Sequence, residues 1–188
     1  DITGKSLMPI FESNIEGMVD KTRDHVLIGK ERHDVGRPQD QGYPIRGIVK
    51  NGWLYTHNFK IDRWPAGDPQ TGYLNCDGSP TKTEVLNSRK DASSQHYWNM
   101  SFGKRASEEL FHLAQDRECM TNLAEAPEWH NMKLSLKTQL FRELEEQQDP
   151  RILGDGDIFD RYLYADVKHQ SFYKKYAAGD SLNAGWVN

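Results

Sequence analysis

The dipeptide Asn51-Gly52 constrains this chain more than any other feature, because it stands alone between two β-forming runs, 45–50 and 53–57. A two-residue hairpin loop of type I′ needs positive φ at both central residues, and Asn-Gly supplies them at the lowest cost. The middle of the chain is therefore an antiparallel hairpin. Residues 109–113 (Glu-Leu-Phe-His-Leu) form a further short strand candidate. The apolar run 25–29 reads as a buried strand, followed by a polar loop over 30–41 that carries Gly36 and Pro38. From 59 to 80 the density of Pro, Gly and Asp predicts a long ordered loop, a kind of segment that often carries function. Trp64, within it, is read as loop packing ahead of ligand contact.

Helical periodicity is clearest over 128–148. There Trp129, Met132, Leu136, Leu140 and Leu144 recur at three or four residues, with Leu134 and Phe141 widening the stripe. Pro127 suits the first helical position and Pro150 ends the pattern. A shorter helix is expected over 81–90. Strands followed by an amphipathic helix imply an α+β fold, a small antiparallel sheet packed against one long helix.

Composition excludes several classes. With 24 Lys and Arg against 28 Asp and Glu the formal charge is −4, and no basic cluster points to nucleic acid. No apolar run approaches the roughly 18–20 residues of a membrane span. The polar opening, Asp1 to Lys5, does not resemble a secretory leader. Five Trp, eight Tyr and seven Phe are too many for a disordered acidic tail. The two cysteines, Cys76 and Cys119, fit neither a zinc site nor a disulfide-dense scaffold; one disulfide and two free thiols both stay open.

The seven histidines show no zinc-protease spacing, and no P-loop, Rossmann or nucleophile-elbow pattern occurs. Asp155, Asp157 and Asp160 fail the calcium-loop pattern, because Phe159 and Asp160 stand where an acidic residue and Gly belong. They read as solvated turn residues. The densest polar constellation is Lys30-Glu31-Arg32-His33-Asp34, directly after the strand at 25–29. Lys, Arg and His there suit an anion such as sulfate or carboxylate. The competing reading is a solvated loop whose charges pair internally, Asp34 with Arg46 for example.

Short segments along the chain resemble one family in its own order. They are Arg23-Asp24-His25-Val26-Leu27-Ile28-Gly29-Lys30-Glu31-Arg32-His33, Gly42-Tyr43-Pro44-Ile45-Arg46, and Asn58-Phe59-Lys60 with Asp62-Arg63-Trp64-Pro65-Ala66-Gly67-Asp68-Pro69. Glu109-Leu110-Phe111 with Asn122-Leu123-Ala124, Asp149-Pro150-Arg151 with Gly154-Asp155-Gly156-Asp157, and the opening Thr3-Gly4-Lys5-Ser6-Leu7-Met8-Pro9 complete the set. Together they resemble the C-terminal end of the sulfatase family, and more narrowly its heparan N-sulfatase (N-sulfoglucosamine sulfohydrolase) branch.

The resemblance implies a fragment of an alkaline-phosphatase-like α/β enzyme. Residues 1–41 would close the large sulfatase domain, 42–150 would form the C-terminal sheet-and-helix subdomain, and 151–188 would be a tail. It implies hydrolysis of sulfate esters or sulfamates of a sulfated sugar, heparan-type glucosamine foremost, in a periplasmic, secreted or lysosome-like compartment. It further implies a formylglycine nucleophile and Ca²⁺ in the complete enzyme, both supplied by a missing N-terminal catalytic domain. Neither cysteine fits the family's C/S-x-P-x-R, since Cys76 is followed at +2 by Gly78 and Cys119 by Thr121. No catalytic residue, metal ligand or cofactor is therefore expected in this chain, and the isolated chain should be inactive.

By the same resemblance His33, Asp34, Tyr43 and Arg46 match elements near the substrate, and Arg32 stands where the family's H-H/D-E element has His. Arg32, His33, Asp34 and Arg46 are the expected substrate-binding residues. Departures from W-E-L-Y-D at 109–112 and from D-P-x-E-x-x-N-L at 116–123 weaken the transfer of substrate detail. The alternative is a stand-alone carbohydrate-binding or interaction module with Trp53, Trp64 and Tyr73 as an aromatic platform.

Overall fold

A computed structural model describes residues 4–182. Thr3 of the opening segment and the end of the tail from 183 lie outside the described residues. The strands are β1 (His25–Lys30), β2 (Ile45–Lys50), β3 (Trp53–Asn58) and β4 (Glu108–His112). They form one antiparallel sheet in the order β1-β2-β3-β4. The helices are α1 (Met8–Phe11), α2 (Pro80–Ser88), α3 (Gln95–Phe102), α4 (His130–Glu146), α5 (Ile158–Arg161) and α6 (Phe172–Ala177). The α+β expectation of a small antiparallel sheet under a long helix holds.

The hairpin turn behaves as its chemistry requires: Asn51 has φ 49° and Gly52 φ 77°. That two-residue turn sets Lys50 opposite Trp53 and Ile45 opposite Asn58. Because side chains alternate along a strand, the register sorts the sheet into two faces. One face carries Leu27, Ile48, Tyr55 and Leu110 in a row across the strands. On it α4 lays Leu136, Leu140 and Leu144, with Trp53 and Ala124 completing the buried cluster.

Leu134 is a correction: expected in the stripe, it is 52 % exposed. It lies two residues from Leu136, about 200° around the helix at 3.6 residues per turn, and so faces away. Phe141 does pack, edge-on to His57. Pro127 opens a 3₁₀ turn, Pro127–Trp129, that runs into α4 rather than the helix itself. At the other end Gln148 turns left-handed (φ 57°), and the N–H groups of Gln148 and Asp149 donate to the carbonyls of Glu145 and Leu144. This pair of bonds is a Schellman close-out with Gln in place of the usual Gly.

The run at 25–29 is the second correction. β1 is an edge strand, not a buried one, with Val26 60 % and Ile28 41 % exposed. Its alternate residues face the side of the sheet that α4 leaves uncovered. The segment 59–79 is an ordered loop, as its composition predicts, and α2 begins at Pro80 behind the cap Ser79, whose side chain accepts from Lys82 N–H at 3.1 Å. Packed on that loop are α2 and α3, the latter not anticipated from the sequence, through Tyr73, Trp98 and Phe102 with Trp64. A third cluster joins Val35, Leu74 and Phe172, and so fastens the tail to the loop after β1.

Candidate functional site

On the sheet face opposite α4 lies a cleft of about 750 Å³. Its floor is the second set of alternating residues, Lys30, Ile45, Leu54, Thr56, Asn58, Glu109 and Phe111. The 59–79 loop and α3 wall one side through Pro65, Ala66, Asn75 and Met100, and the segment after β4 contributes Glu118 to Met120 and Asn122. His33 and Tyr43 stand at the end where β1 leaves the sheet.

The polar floor is joined by hydrogen bonds. Asn58 Nδ2 donates to Ala106 O at 2.7 Å and to Glu109 Oε2 at 3.0 Å, and Thr56 Oγ1 donates to the same carboxylate at 3.2 Å. Arg105 stands 3.7 Å from Glu109. Three groups remain open. Asn58 Oδ1 and Tyr43 Oη are buried with no hydrogen-bond partner. Lys30 makes no ion pair among the described residues; its ammonium lies 5.9 Å from the Tyr43 ring centroid. Burial, with Arg37 and Arg105 close by, holds the Lys30 pKa below its ordinary value. Burial, seconded by the Glu109 charge, pushes the Tyr43 phenol up to about 12, so it keeps its proton as a donor.

The loop after β1 is fixed from below. Gly42 passes so close that a Cβ there would stand 2.5 Å from the Glu31 carbonyl oxygen. Tyr43 N–H donates to that same oxygen at 2.8 Å. Glu31 accepts from Arg46 at 2.7 Å and from Arg151 at 2.6 Å. Arg46 also donates to Asp149 at 2.6 Å, the residue that the Schellman turn delivers. Arg37, only 2 % exposed, donates to the carbonyls of Trp64 and Pro65, each at 2.9 Å, and ties this loop to the cleft wall.

Against this geometry the expected site residues separate. His33 lines the cleft. Arg32 turns to the tail instead, donating to Asp40 O at 3.1 Å and lying 5.5 Å from the Tyr164 ring centroid. Asp34 accepts from Val35 N–H at 2.7 Å; burial raises its pKa, against that bond and one from Tyr164. Arg46 lies on the helix-covered face, engaged by Glu31 and Asp149. The anticipated Asp34–Arg46 pair is not made. No family model matches the chain, and no curated protein matches it either.

Asn58 and Glu109 are what sequence reasoning left out of the site, whereas Lys30, part of the cationic patch, and Tyr43, matched by resemblance, were near it without being among the expected binding residues. The signal was present in the hairpin register, which aligns Ile45 with Asn58 and so brings the alternate residues of each neighbouring strand to one face. The aromatic platform is a further correction: Trp53 and Tyr73 are buried in separate clusters, at 6 % and 4 % exposure. Asp157 and Asp160 are ion-paired, with Lys60 and Arg63 respectively, and Asp155 with Arg161. Asp160, held by Arg63 away from solvent, anchors the tail and is a correction, while Asp155 and Asp157 stay exposed in the turn region as expected. Cys76 and Cys119 are both free thiols.

Proposed function

We propose that this chain is the C-terminal portion of a sulfatase acting on a sulfated sugar, heparan-type glucosamine first, in an extracytoplasmic or lysosome-like compartment. It contributes a wall of the substrate pocket and the scaffold behind it, not the nucleophile. The observation that carries this reading is the position of the loop after β1. The same segment that resembles the family's substrate-proximal element stands at the mouth of the cleft, with Lys30 and His33 on its lining. The ion pairs of Glu31, Arg46 and Arg151 hold that loop in one place, as a binding wall requires.

Apolar side chains with nothing over them support a missing partner domain. Leu7, Phe11, Ile15 and Met18 are exposed, as are Val26 and Ile28 on the uncovered face of β1. None of the described residues before Val35 is buried. A covering N-terminal catalytic domain would supply the formylglycine and the Ca²⁺ site. Among the described residues no cluster of three or more His, Cys, Asp or Glu is placed to hold a metal ion. No helix among them is long and apolar enough to cross a membrane.

The test is turnover of N-sulfoglucosamine by the gene product that includes the native upstream sequence. Release of sulfate, lowered by His33→Ala mainly through a higher KM, supports the reading. A gene whose start codon directly precedes the Asp1 codon, or a longer product that cleaves neither sulfamate nor sulfate ester, overturns it.

A further inference from the structure

Three open valences belong to residues that line the cleft, and they differ in kind. Lys30 offers a half-buried positive charge with no ion pair among the described residues, and the charges of Arg37 and Arg105 act against it. Tyr43 offers a hydroxyl and Asn58 a carbonyl oxygen, both sealed from water and unpartnered. Lys30 is directly opposite Ile45, and Ile45 opposite Asn58, so the ammonium and the amide start from one row across three strands. Tyr43 precedes Ile45 by two residues and shares its side of the chain. Neighbouring strands lie about 4.8 Å apart, so this row spans roughly 10 Å, the length of one to two sugar rings.

A buried polar atom without a partner costs free energy, and so does a desolvated cation. The ligand that relieves all three must bring an anionic group to Lys30, a donor to Asn58 Oδ1, and an acceptor to Tyr43 Oη. A bare inorganic anion offers no donor, and a neutral sugar offers no charge. We infer that Lys30, Tyr43 and Asn58 form an acidic-sugar subsite: Lys30 holds the carboxylate or sulfo group, while Asn58 and Tyr43 read ring hydroxyls. The subsite rests on the sulfatase reading for its place in catalysis, but its binding chemistry does not depend on it. Glu109 has a positioning role, fixing the Asn58 amide through Nδ2 so that Oδ1 is the end left for the ligand.

The 188-residue chain can be titrated with glucuronic acid, N-sulfoglucosamine, glucose and sodium sulfate, with binding followed by amide NMR shifts. At least one of the two acidic sugars should bind saturably, with shifts at 30, 43 and 58; which of them binds identifies the acidic group. Lys30→Met should weaken that binding by about tenfold, the scale of one lost charge-assisted bond. Tyr43→Phe should weaken it less, with both variants melting no lower than the parent. Binding of glucose or of sulfate as tight as that of the acids overturns the assignment. So does an unchanged affinity in Lys30→Met, or no binding of either acid. His33→Ala separates this from the functional reading. If it lowers turnover of the longer product while Lys30→Met leaves affinity alone, the subsite falls and the sulfatase stands. If binding depends on Lys30 and the longer product hydrolyses no sulfate, the subsite stands and the sulfatase falls.

Discussion

The two faces of one sheet have been put to opposite uses. On the α4 side Leu27, Ile48, Tyr55 and Leu110 meet a leucine stripe. The phenol buried there is answered: Tyr55 Oη donates to Glu108 at 2.6 Å, and Lys137 reaches the same carboxylate at 2.9 Å. Burial opposes ionisation of Glu108, yet those bonds bring its pKa down to about 2. On the other side, residues of the same sheet and the turn into it leave a phenol and an amide oxygen without hydrogen-bond partners, and a cation with no ion pair among the described residues. The covered face also holds unpartnered buried atoms, His57 Nδ1 and His112 Nδ1, but they lie under α4, whereas those of the open face belong to residues that line a cleft. The contrast can be broken in four places.

The largest loss should come from Arg46, at the edge of the covered face. Arg46→Met strips Asp149 and Glu31 of a buried partner, and breaking such a pair costs about 3–5 kcal/mol in denaturant unfolding. Glu31 retains Arg151, which places the result toward the lower end. A change within error would mean that the loop after β1 is held by something else.

Next comes the leucine stripe. Leu140 is fully buried, and Leu140→Ala should cost about 2–5 kcal/mol. Leu134→Ala, on the exposed side of the same helix, should stay within about 0.5 kcal/mol of the parent. Equal losses from both would erase the distinction between faces.

On the open face the sign reverses. Lys30→Met removes a desolvated, like-charge-repelled ammonium, so thermal stability should hold or rise slightly, by up to about 1 kcal/mol. A clear drop in melting temperature would show that Lys30 is structural.

The smallest effect is a pH slope. His25 has both ring nitrogens 2.7 Å from carboxylates, Asp24 on one side and Glu143 of α4 on the other. The Asp24 bond, with that of Glu143, outweighs burial and raises its pKa. A raised folded pKa adds stability that is complete below the unfolded value of about 6.5 and disappears as pH rises through the folded one. Melting temperature should therefore decline across that window in the parent and decline less in His25→Gln. Parallel profiles would mean that His25 is not the proton-binding group.

Local signals carried much of this architecture. The Asn51-Gly52 turn, the β4 run and the spacing of Leu136, Leu140 and Leu144 each declare themselves within a few residues. Partner choice across the chain did not. Nothing near Arg46 says that Asp149, 103 residues away, will take the place expected of Asp34. Periodicity also cannot say whether a strand such as β1 will be covered on both faces or only one. The cleft floor was half legible: the register implied by the turn brings Asn58 to the side of Ile45, but which side α4 covers depends on packing.

The ion pairs under the loop after β1 have a consequence for how the chain matures. Glu31 waits for Arg151, Arg46 for Asp149, and the Gly42 amide for Asp160, each across 100 residues or more. At a ribosomal rate of about 5–20 residues per second, the hairpin leaves the tunnel roughly ten seconds before its anchors do. During that interval the strands can pair, but the binding wall has no fixed position. A chain cut short before Arg151 would keep its hairpin and lose the shape of its cleft, so the last quarter of the sequence acts as a checkpoint on the first.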